Sequence, residues 1–148
     1  YANKSLDLNE IALAHDENSL HESLHAEGIK IIGVEAKNAQ ILKSSPTQLA
    51  INIASFQEMD PAIVKAYFSI FRSIAEKRKF YVYACNRETK VLSDGVAVNF
   101  CEYGWSSRDQ IIIDEPCPWH QFFYCLRPPF LKSYDGVHRH RLVQLAPA

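Results

Sequence analysis

Glycine, cysteine and long apolar runs are scarce in this sequence. Its five glycines are dispersed, so neither a G-x-G-x-x-G loop nor a P-loop can be drawn. Four scattered cysteines are too few for a disulfide framework in a domain of this size, which favours reduced thiols and a cytoplasmic location. No apolar run approaches the roughly 20 residues that span a bilayer. We therefore expect no stable membrane insertion.

Neither sign of charge is in excess. The net charge of −1 argues against an extended nucleic-acid-binding face, so we expect no nucleic-acid partner. The 148 residues suit one domain, which we predict to occupy 1–148. The N-terminus has neither an initiator methionine nor a secretory signal, as expected of a processed or truncated piece of a longer protein.

Helices and strands alternate through much of the chain. The predicted helices are Ser5–Glu27 and Asp60–Lys77, with a helical turn at Ala39–Lys43, and the predicted strands are Ile29–Val34, Leu49–Ala54, Phe80–Cys85, Val96–Tyr103, Gln110–Ile113 and His140–Leu145. The apolar run Leu49–Ala54 suits a strand buried on both faces. Asp60 followed by Pro61 is typical of a helix N-terminus. Such alternation predicts right-handed crossovers and an α/β fold with a parallel sheet.

Polar side chains follow the two central strands of this pattern. They are Ser55, Gln57, Glu58, Asn86 and Arg87. In open α/β sheets the loops at the carboxyl ends of the strands form the ligand crevice. Glu58 has two interpretations, a general base or hydroxyl-binding carboxylate and a cap at the start of the following helix.

An aromatic loop carries a second group of acids beside an imidazole. Asp114 and Glu115 precede His120 by a few residues, and carboxylates beside aromatic rings suit polyhydroxylated ligands. These acids would equally well cap turns. The stretch Cys117-Pro-Trp-His120 could also supply metal ligands, but structural zinc sites usually have two paired ligand knuckles. A packed aromatic loop is therefore favoured.

A short match to a zinc-protease motif lies near the N-terminus. His21-Glu22-Ser23-Leu24-His25 fits H-E-x-x-H, in which two histidines one helical turn apart bind zinc and the glutamate acts as base. The longer metzincin pattern requires a third histidine where this chain has Ile31, and no methionine turn follows. The pattern therefore favours a solvated helix face, and no metal site is predicted.

Several blocks together resemble a known family. They are Ile51-Asn-Ile-Ala-Ser-Phe-Gln-Glu-Met59, Phe80-Tyr-Val-Tyr-Ala-Cys-Asn-Arg87, Glu102-Tyr-Gly-Trp105, Asp114-Glu-Pro-Cys-Pro-Trp-His120, Arg127-Pro-Pro-Phe130, Tyr134-Asp-Gly136 and His140-Arg-Leu-Val143. In this order they resemble the C-terminal part of the sugar O-methyltransferase family. These are class I S-adenosylmethionine-dependent enzymes associated with bacterial surface polysaccharide synthesis.

The resemblance implies a Rossmann-like methyltransferase fold, whose mostly parallel sheet carries an antiparallel C-terminal strand. It also implies S-adenosylmethionine as the cofactor, contacted by Asp7 and Asn52, and a sugar hydroxyl of a small molecule or glycan as the methyl acceptor. The family's N-terminal glycine-rich strand-turn-helix is absent from 1–148. Since that loop gives close backbone approach to the cofactor, we expect poor or no cofactor affinity.

Glu58 is the first candidate for the base that removes the hydroxyl proton, and His120 is the second. The candidate substrate-binding residues are Ser55, Gln57, Asn86, Arg87, Trp105, Asp114, Glu115 and Trp119. We expect Glu58 and His120 to face one pocket, with Asn86 and Arg87 on its floor and a tryptophan as its wall. Two alternatives stay open: a zinc-dependent hydrolase using His21 and its neighbours, and a non-catalytic carbohydrate-binding or assembly domain on the same fold.

Overall fold

The computed structural model describes residues 7–148, so the start of the predicted Ser5–Glu27 helix lies outside the described residues. The chain divides into two compact units, one up to Pro46 and the other from Thr47. The single domain predicted for 1–148 stays a prediction. No helix among residues 7–148 is both long enough and apolar enough to cross a membrane.

The first unit pairs two short parallel strands beside one α-helix. Its elements are β1 (Ile11–Ala14), α1 (Glu17–His25), β2 (Ile31–Val34) and a 3₁₀ helix over Ala36–Ser44. A small core joins three of these elements through Ala14, Leu20 and Ile41. The strand and the helical turn predicted in this part of the chain are both confirmed.

The helix predicted over Ser5–Glu27 begins only at Glu17. Strand β1 takes the place of its first half because that backbone pairs with β2 in parallel register. Asp16 then starts α1, since its Oδ1 accepts a hydrogen bond from the backbone N–H of Ser19 at 2.8 Å. A four-residue apolar run fits a helix and a strand equally well, and the pairing partner decides between them.

The second unit is a mixed α/β structure. Its elements are β3 (Leu49–Ile53), α2 (Pro61–Ala75), β4 (Tyr81–Arg87), β5 (Thr89–Val91), β6 (Ala97–Asn99), β7 (Gln110–Pro116), β8 (Phe122–Tyr124), β9 (Leu131–Ser133) and β10 (His138–Gln144). Four of the strands form a sheet of order β3-β4-β10-β7. The parallel pairing of β3 with β4 across α2 is confirmed.

The C-terminal strand is antiparallel, as predicted, but it lies inside the sheet rather than extending it. β10 runs antiparallel to both of its neighbours, β4 and β7. β3, β4 and β7 therefore share one direction and β10 opposes them. Only the β3–β4 pair in this sheet has parallel hydrogen bonding, because the returning strand separates β4 from β7.

Helix α2 follows from its local sequence. Asp60 Oδ1 accepts a hydrogen bond from the backbone N–H of Ala62 at 2.7 Å, and Pro61 occupies the first helical position, which confirms the predicted N-terminus. Its buried stripe consists of Val64, Phe68, Ile70, Phe71, Ile74 and Ala75. Among these, Phe68 meets the Trp105 ring edge-on with 4.7 Å between the centroids.

A charged clamp fixes α2 to the loop before β7. Arg72 Nη1 and Nη2 each lie 3.0 Å from a carboxylate oxygen of Asp109, and they also donate to the carbonyls of Gly104 and Ala146 at 2.6 and 2.9 Å. Burial opposes ionisation of Asp109, but the Arg72 guanidinium holds the pKa of that carboxyl below its usual range. The bidentate pair and the two carbonyls satisfy most of the guanidinium's donors.

The prediction that Leu49–Ala54 is buried on both faces is wrong. Ile51 and Ile53 in β3 are 64% and 57% exposed. Among the described residues β3 pairs only with β4, so it is an edge strand of this sheet. Because side chains alternate along a strand, Asn52 points to the opposite face, where it meets Asn86.

The chain after β4 forms two hairpins. β5 and β6 pair antiparallel, and a 3₁₀ helix over Phe100–Glu102 replaces the second half of the strand predicted at Val96–Tyr103. β8 and β9 also pair antiparallel, in a stretch where no strand is predicted. The Cys125 N–H donates to the Phe130 carbonyl at 2.7 Å, which closes the tip of this second hairpin.

Candidate functional site

The carboxyl ends of β3 and β4 are joined by side-chain amides. Asn86 Nδ2 donates to Asn52 Oδ1 at 3.0 Å, and Asn86 Oδ1 accepts from the Gln57 backbone N–H at 3.2 Å. Gln57 Oε1 accepts from the Arg87 backbone N–H at 2.7 Å. Asn86 and Gln57 are both buried. These predicted substrate-binding amides therefore hold the loop after β3 in one conformation. Because their hydrogen bonds are made within the protein, they shape the site rather than donate to a ligand.

Ser55 and Asn52 belong to the same network. Asn52 Nδ2 donates to Ser55 Oγ, and Asn52 Oδ1 also accepts from the Phe56 backbone N–H at 3.1 Å. Both ends of the Asn52 amide are therefore engaged by the protein. Asp7, the other predicted cofactor contact, lies in the first unit, where its side chain accepts from the Asn9 backbone N–H and caps a 3₁₀ turn.

Glu58 lies at the mouth of this loop with its side chain about half exposed. Its Oε1 accepts from Gln57 Nε2 at 3.1 Å and lies 3.3 Å from Lys90 Nζ. The Gln57 hydrogen bond, followed by the Lys90 ammonium, holds the pKa of Glu58 below its usual range. Glu58 is thus an ionised hydrogen-bond acceptor at neutral pH. The cap of α2 is Asp60, which removes the alternative role weighed for Glu58.

His120 lies in a separate cleft of about 530 Å³, within the size range of small-molecule sites. The cleft lies between the loop after β7, the β8–β9 hairpin and the start of β10. It is lined by Pro116, Cys117, His120, Gln121, Phe122, Ser133, Tyr134, Gly136, Val137 and His138. Backbone bonds from Cys117 to His138 at 2.7 Å and from Tyr134 to Gln121 at 3.1 Å fix its walls.

Two stacked histidines form the wall of this cleft. The rings of His120 and His138 lie 4.2 Å apart at 18°, and Tyr134 approaches both edge-on at 4.6 and 4.8 Å. His138 is only 4% exposed, and its Nδ1 has no hydrogen-bond partner among the described residues. Burial, with smaller contributions from His120 and Arg87, lowers the pKa of His138 to about 4. The cleft is therefore lined by a neutral imidazole whose Nδ1 is buried without a partner.

His138 is the functional candidate that the sequence interpretation missed. Its signal is the alternation His138-Arg139-His140, which places both histidines on one face of a strand. The predicted strand begins only at His140, so His138 falls outside it and the alternation is not seen.

The structure does not bring Glu58 and His120 into one pocket. The cleft of His120 is lined by none of Glu58, Asn86 and Arg87. β4 extends to Arg87 rather than ending at Cys85, so Asn86 and Arg87 are successive strand residues whose side chains point to opposite faces. Asn86 meets the Glu58 loop, whereas Arg87 is paired with His138 in the strand register. The predicted shared floor is thus divided between two faces.

Neither tryptophan forms a wall of the cleft. Trp105 packs in the core against Phe68 and donates from Nε1 to the Phe100 carbonyl at 2.7 Å. The Arg141 guanidinium lies 4.9 Å from its ring centroid. Trp119 is 88% exposed. The predicted wall is instead supplied by Tyr134 and the histidine pair.

The acids of the aromatic loop pair with β10 rather than with His120. Asp114 contacts Arg139 at 3.0 Å and Arg141 at 2.7 Å. Burial opposes its ionisation, but the two guanidiniums hold the pKa of Asp114 below its usual range. Glu115 lies 3.4 Å from His140 Nε2. The register of β7 against β10 determines these pairs. Both acids therefore make contacts within the sheet.

The zinc-motif histidines are engaged with each other. The rings of His21 and His25 stack at 4.3 Å, and His25 Nδ1 lies 2.8 Å from the His21 carbonyl. Residues 7–148 contain no group of three or more side chains that could hold a metal ion. Nothing in this part of the chain therefore favours the hydrolase alternative.

S-adenosylmethionine does not fit the described residues as a complete cofactor site. No glycine follows directly on any of the strands β1, β2, β3 and β4, the Asn52 amide is engaged internally, and Asp7 caps a turn. No protein-family model matches the chain, and no curated protein is significantly similar to it. The assignment of a function therefore depends on the motif resemblance and on the geometry of the Glu58 loop and the histidine cleft.

Proposed function

We propose that this chain supplies the acceptor-binding part of an S-adenosylmethionine-dependent O-methyltransferase, which acts on a sugar hydroxyl in surface polysaccharide synthesis. One observation carries the proposal. Two blocks of the resemblance, Ile51–Met59 and Phe80–Arg87, lie on adjacent parallel strands, and Gln57 and Asn86 hydrogen-bond across their carboxyl ends. A Rossmann-like sheet and a cytoplasmic location belong to the same proposal.

The histidine cleft is the acceptor site in this proposal. Its volume of about 530 Å³ accommodates a sugar ring, and aromatic rings stack on the apolar face of a sugar. The neutral His138 imidazole lines the cleft, and a neutral imidazole can exchange a hydrogen bond with one hydroxyl. Gln121 and Ser133, which also line the cleft, offer further polar groups. Apolar walls with few polar groups are the usual composition of small-molecule sites.

Glu58 is the first candidate base and His120 the second. The transferred methyl group requires a hydroxyl that loses its proton as the new bond forms, and a carboxylate can accept that proton. The lowered pKa of Glu58 makes it a weaker base than an ordinary glutamate. Because Glu58 does not line the cleft, it can reach only an acceptor that extends beyond the cleft, and there it orients the hydroxyl by accepting its hydrogen bond.

A second candidate is the non-catalytic carbohydrate-binding domain. The incomplete fit to the cofactor favours it, because sugar binding needs the cleft alone. Both candidates predict the same acceptor site and differ only in methyl transfer.

Saturation-transfer NMR with a panel of nucleotide-linked and free hexoses tests both candidates. We expect at least one sugar to bind, and His138→Phe, which keeps a ring but removes both nitrogens, to weaken its affinity about tenfold. His21→Phe is the matched control and should bind normally. Methylated sugar formed with added S-adenosylmethionine supports the enzyme, and sugar binding without methylation by a protein that includes the glycine-rich cofactor-binding segment supports the binding domain. If no sugar binds, both candidates are wrong.

A further inference from the structure

The β8–β9 hairpin exposes many large apolar side chains. We call residues 122–133 the aromatic hairpin. Its exposed large side chains are Phe122, Phe123, Tyr124, Leu126, Phe130 and Leu131, and Trp119 lies just before it. Contiguous exposed apolar surface of this kind marks a site of association with another protein or a membrane.

Both faces of the aromatic hairpin are open. Phe122, Phe123 and Tyr124 are consecutive, and consecutive side chains of a strand point to opposite faces. All three are nonetheless exposed, Tyr124 by 69%. A flat protein partner would cover one face of such a ribbon and leave the other in water. A lipid interface surrounds an inserted hairpin on every side.

The tip of the aromatic hairpin is suited to enter a lipid interface ahead of the strands. Cys125 N–H bonds to the Phe130 carbonyl, and Phe130 N–H bonds to the Arg127 carbonyl at 3.0 Å, so the turn is closed by its own backbone. Leu126 projects from this turn and is 87% exposed. The backbone N–H groups of Cys125 and Phe130 are thus satisfied internally, which reduces the cost of moving them out of water.

The charged residues of the aromatic hairpin indicate which kind of lipid surface it would bind. From Pro116 to Tyr134 the chain contains Arg127 and Lys132 but no aspartate or glutamate. Neither side chain has an ion-pair partner among the described residues. Basic side chains beside apolar anchors extend to lipid phosphates while their stems stay in the apolar zone. Each contributes about 1 kcal/mol at an anionic membrane surface.

We propose that the aromatic hairpin docks this protein peripherally on an anionic lipid bilayer, with Leu126 and the flanking rings in the headgroup region. Tyr124 and Trp119 match the preference of amphipathic rings for that region. The histidine cleft shares Phe122 and Ser133 with the aromatic hairpin, so docking brings the mouth of the cleft to the membrane surface. This proposal does not depend on methyl transfer.

Co-sedimentation with vesicles tests the docking. We expect the chain to bind vesicles of phosphatidylcholine mixed with phosphatidylglycerol, and to bind pure phosphatidylcholine vesicles far more weakly. Tyr124→Ser with Leu126→Ser should lower the partition coefficient at least about tenfold. Arg127→Glu with Lys132→Glu should lower binding to the anionic vesicles by roughly a hundredfold.

Matched controls change the same kinds of residue elsewhere. Ile63→Ser removes an exposed apolar side chain from α2, and Lys79→Glu with Arg108→Glu reverses two exposed charges outside the hairpin. These controls should bind anionic vesicles within about threefold of the parent chain. Circular dichroism of every variant checks that it is folded.

Tryptophan fluorescence supplies a second measurement on the unmodified chain. Trp105 is packed in the core, so a blue shift on adding anionic vesicles reports Trp119, and Trp119→Phe should abolish it. Equal binding to both kinds of vesicle, no blue shift, or equal losses in the hairpin and control variants would overturn the proposal. It is also overturned if the hairpin variants abolish self-association in sedimentation velocity while vesicles bind no protein, since the occupant is then a second copy.

Discussion

Replacing Glu58 by glutamine separates the role of its charge from its role in the fold. The substitution keeps the side chain's length and its ability to accept from Gln57 Nε2, but it removes the charge facing Lys90. That ion pair is partly exposed on both sides, so its loss should cost no more than about 0.5 kcal/mol of unfolding free energy. We expect the fold and the melting temperature to be nearly unchanged.

The effect on function should be far larger. In a complete enzyme in which Glu58 takes the hydroxyl proton or orients the hydroxyl, Glu58→Gln should lower turnover of the methyl acceptor by about a hundredfold, the scale of losing a general base. Glu88→Gln is the matched control, because Glu88 follows β4 as Glu58 follows β3, is about half exposed and pairs with a single basic residue, Arg139. It should lose less than about twofold.

The pH dependence gives an independent readout. Because the folded pKa of Glu58 lies below the usual value, activity that depends on its carboxylate is present at neutral pH and is lost as pH falls through that lowered pKa. Lys90→Met removes one cause of the lowering and should move the acid limb of the pH–rate profile to higher pH. Unchanged turnover in Glu58→Gln, or an acid limb that Lys90→Met does not move, refutes the assignment.

Two further predictions concern the framework that holds the site. Asp109→Asn leaves the Arg72 guanidinium without its buried counter-ion and should lower the free energy of unfolding in urea by about 3 kcal/mol. Because the pKa of Asp109 is depressed in the fold, this difference should be fully present above the usual aspartate pKa of about 4 and be lost as pH falls through the lowered pKa of the folded state. Gly104→Ala should destabilise by about 1–3 kcal/mol, since its Cβ would lie 2.5 Å from Phe68 Cγ. Gly104→Ala with Phe68→Ala, which removes Cγ and Cδ1, should cost less than the sum of the two single losses, and additive losses would contradict the proposed clash.

Local signals in the sequence were sufficient for the strand–helix–strand unit at the centre of the second unit. Asp60 and Pro61 mark the start of α2, its apolar stripe has helical period, and short β-branched runs lie on either side. Each of these features is a property of neighbouring residues. The element types of β3, α2 and β4 therefore followed without knowledge of distant contacts.

Features that depend on which strands pair, and in which register, could not be predicted from neighbouring residues. The partners of Asp114 and Glu115 are set by the register of β7 against β10, and no local pattern states that register. The exposure of β3 depends on which strands and helices cover it, whereas an apolar run shows only that it can be buried. β8 and β9 are three residues each, too short for a periodic signal.

The Glu58 loop and the histidine cleft are separated because β4 extends two residues, Asn86 and Arg87, beyond its predicted end at Cys85. Had β4 ended at Cys85, Asn86 and Arg87 would lie in a loop and could face one pocket together. The strand pairing of Asn86 with Arg139 and of Arg87 with His138 instead sends these side chains to opposite faces. Asn86 therefore organises the loop that carries the carboxylate, and Arg87 stands beside the imidazoles. A ligand that reaches both must extend around the carboxyl end of β4, which favours an extended, polyhydroxylated acceptor over a single small ring.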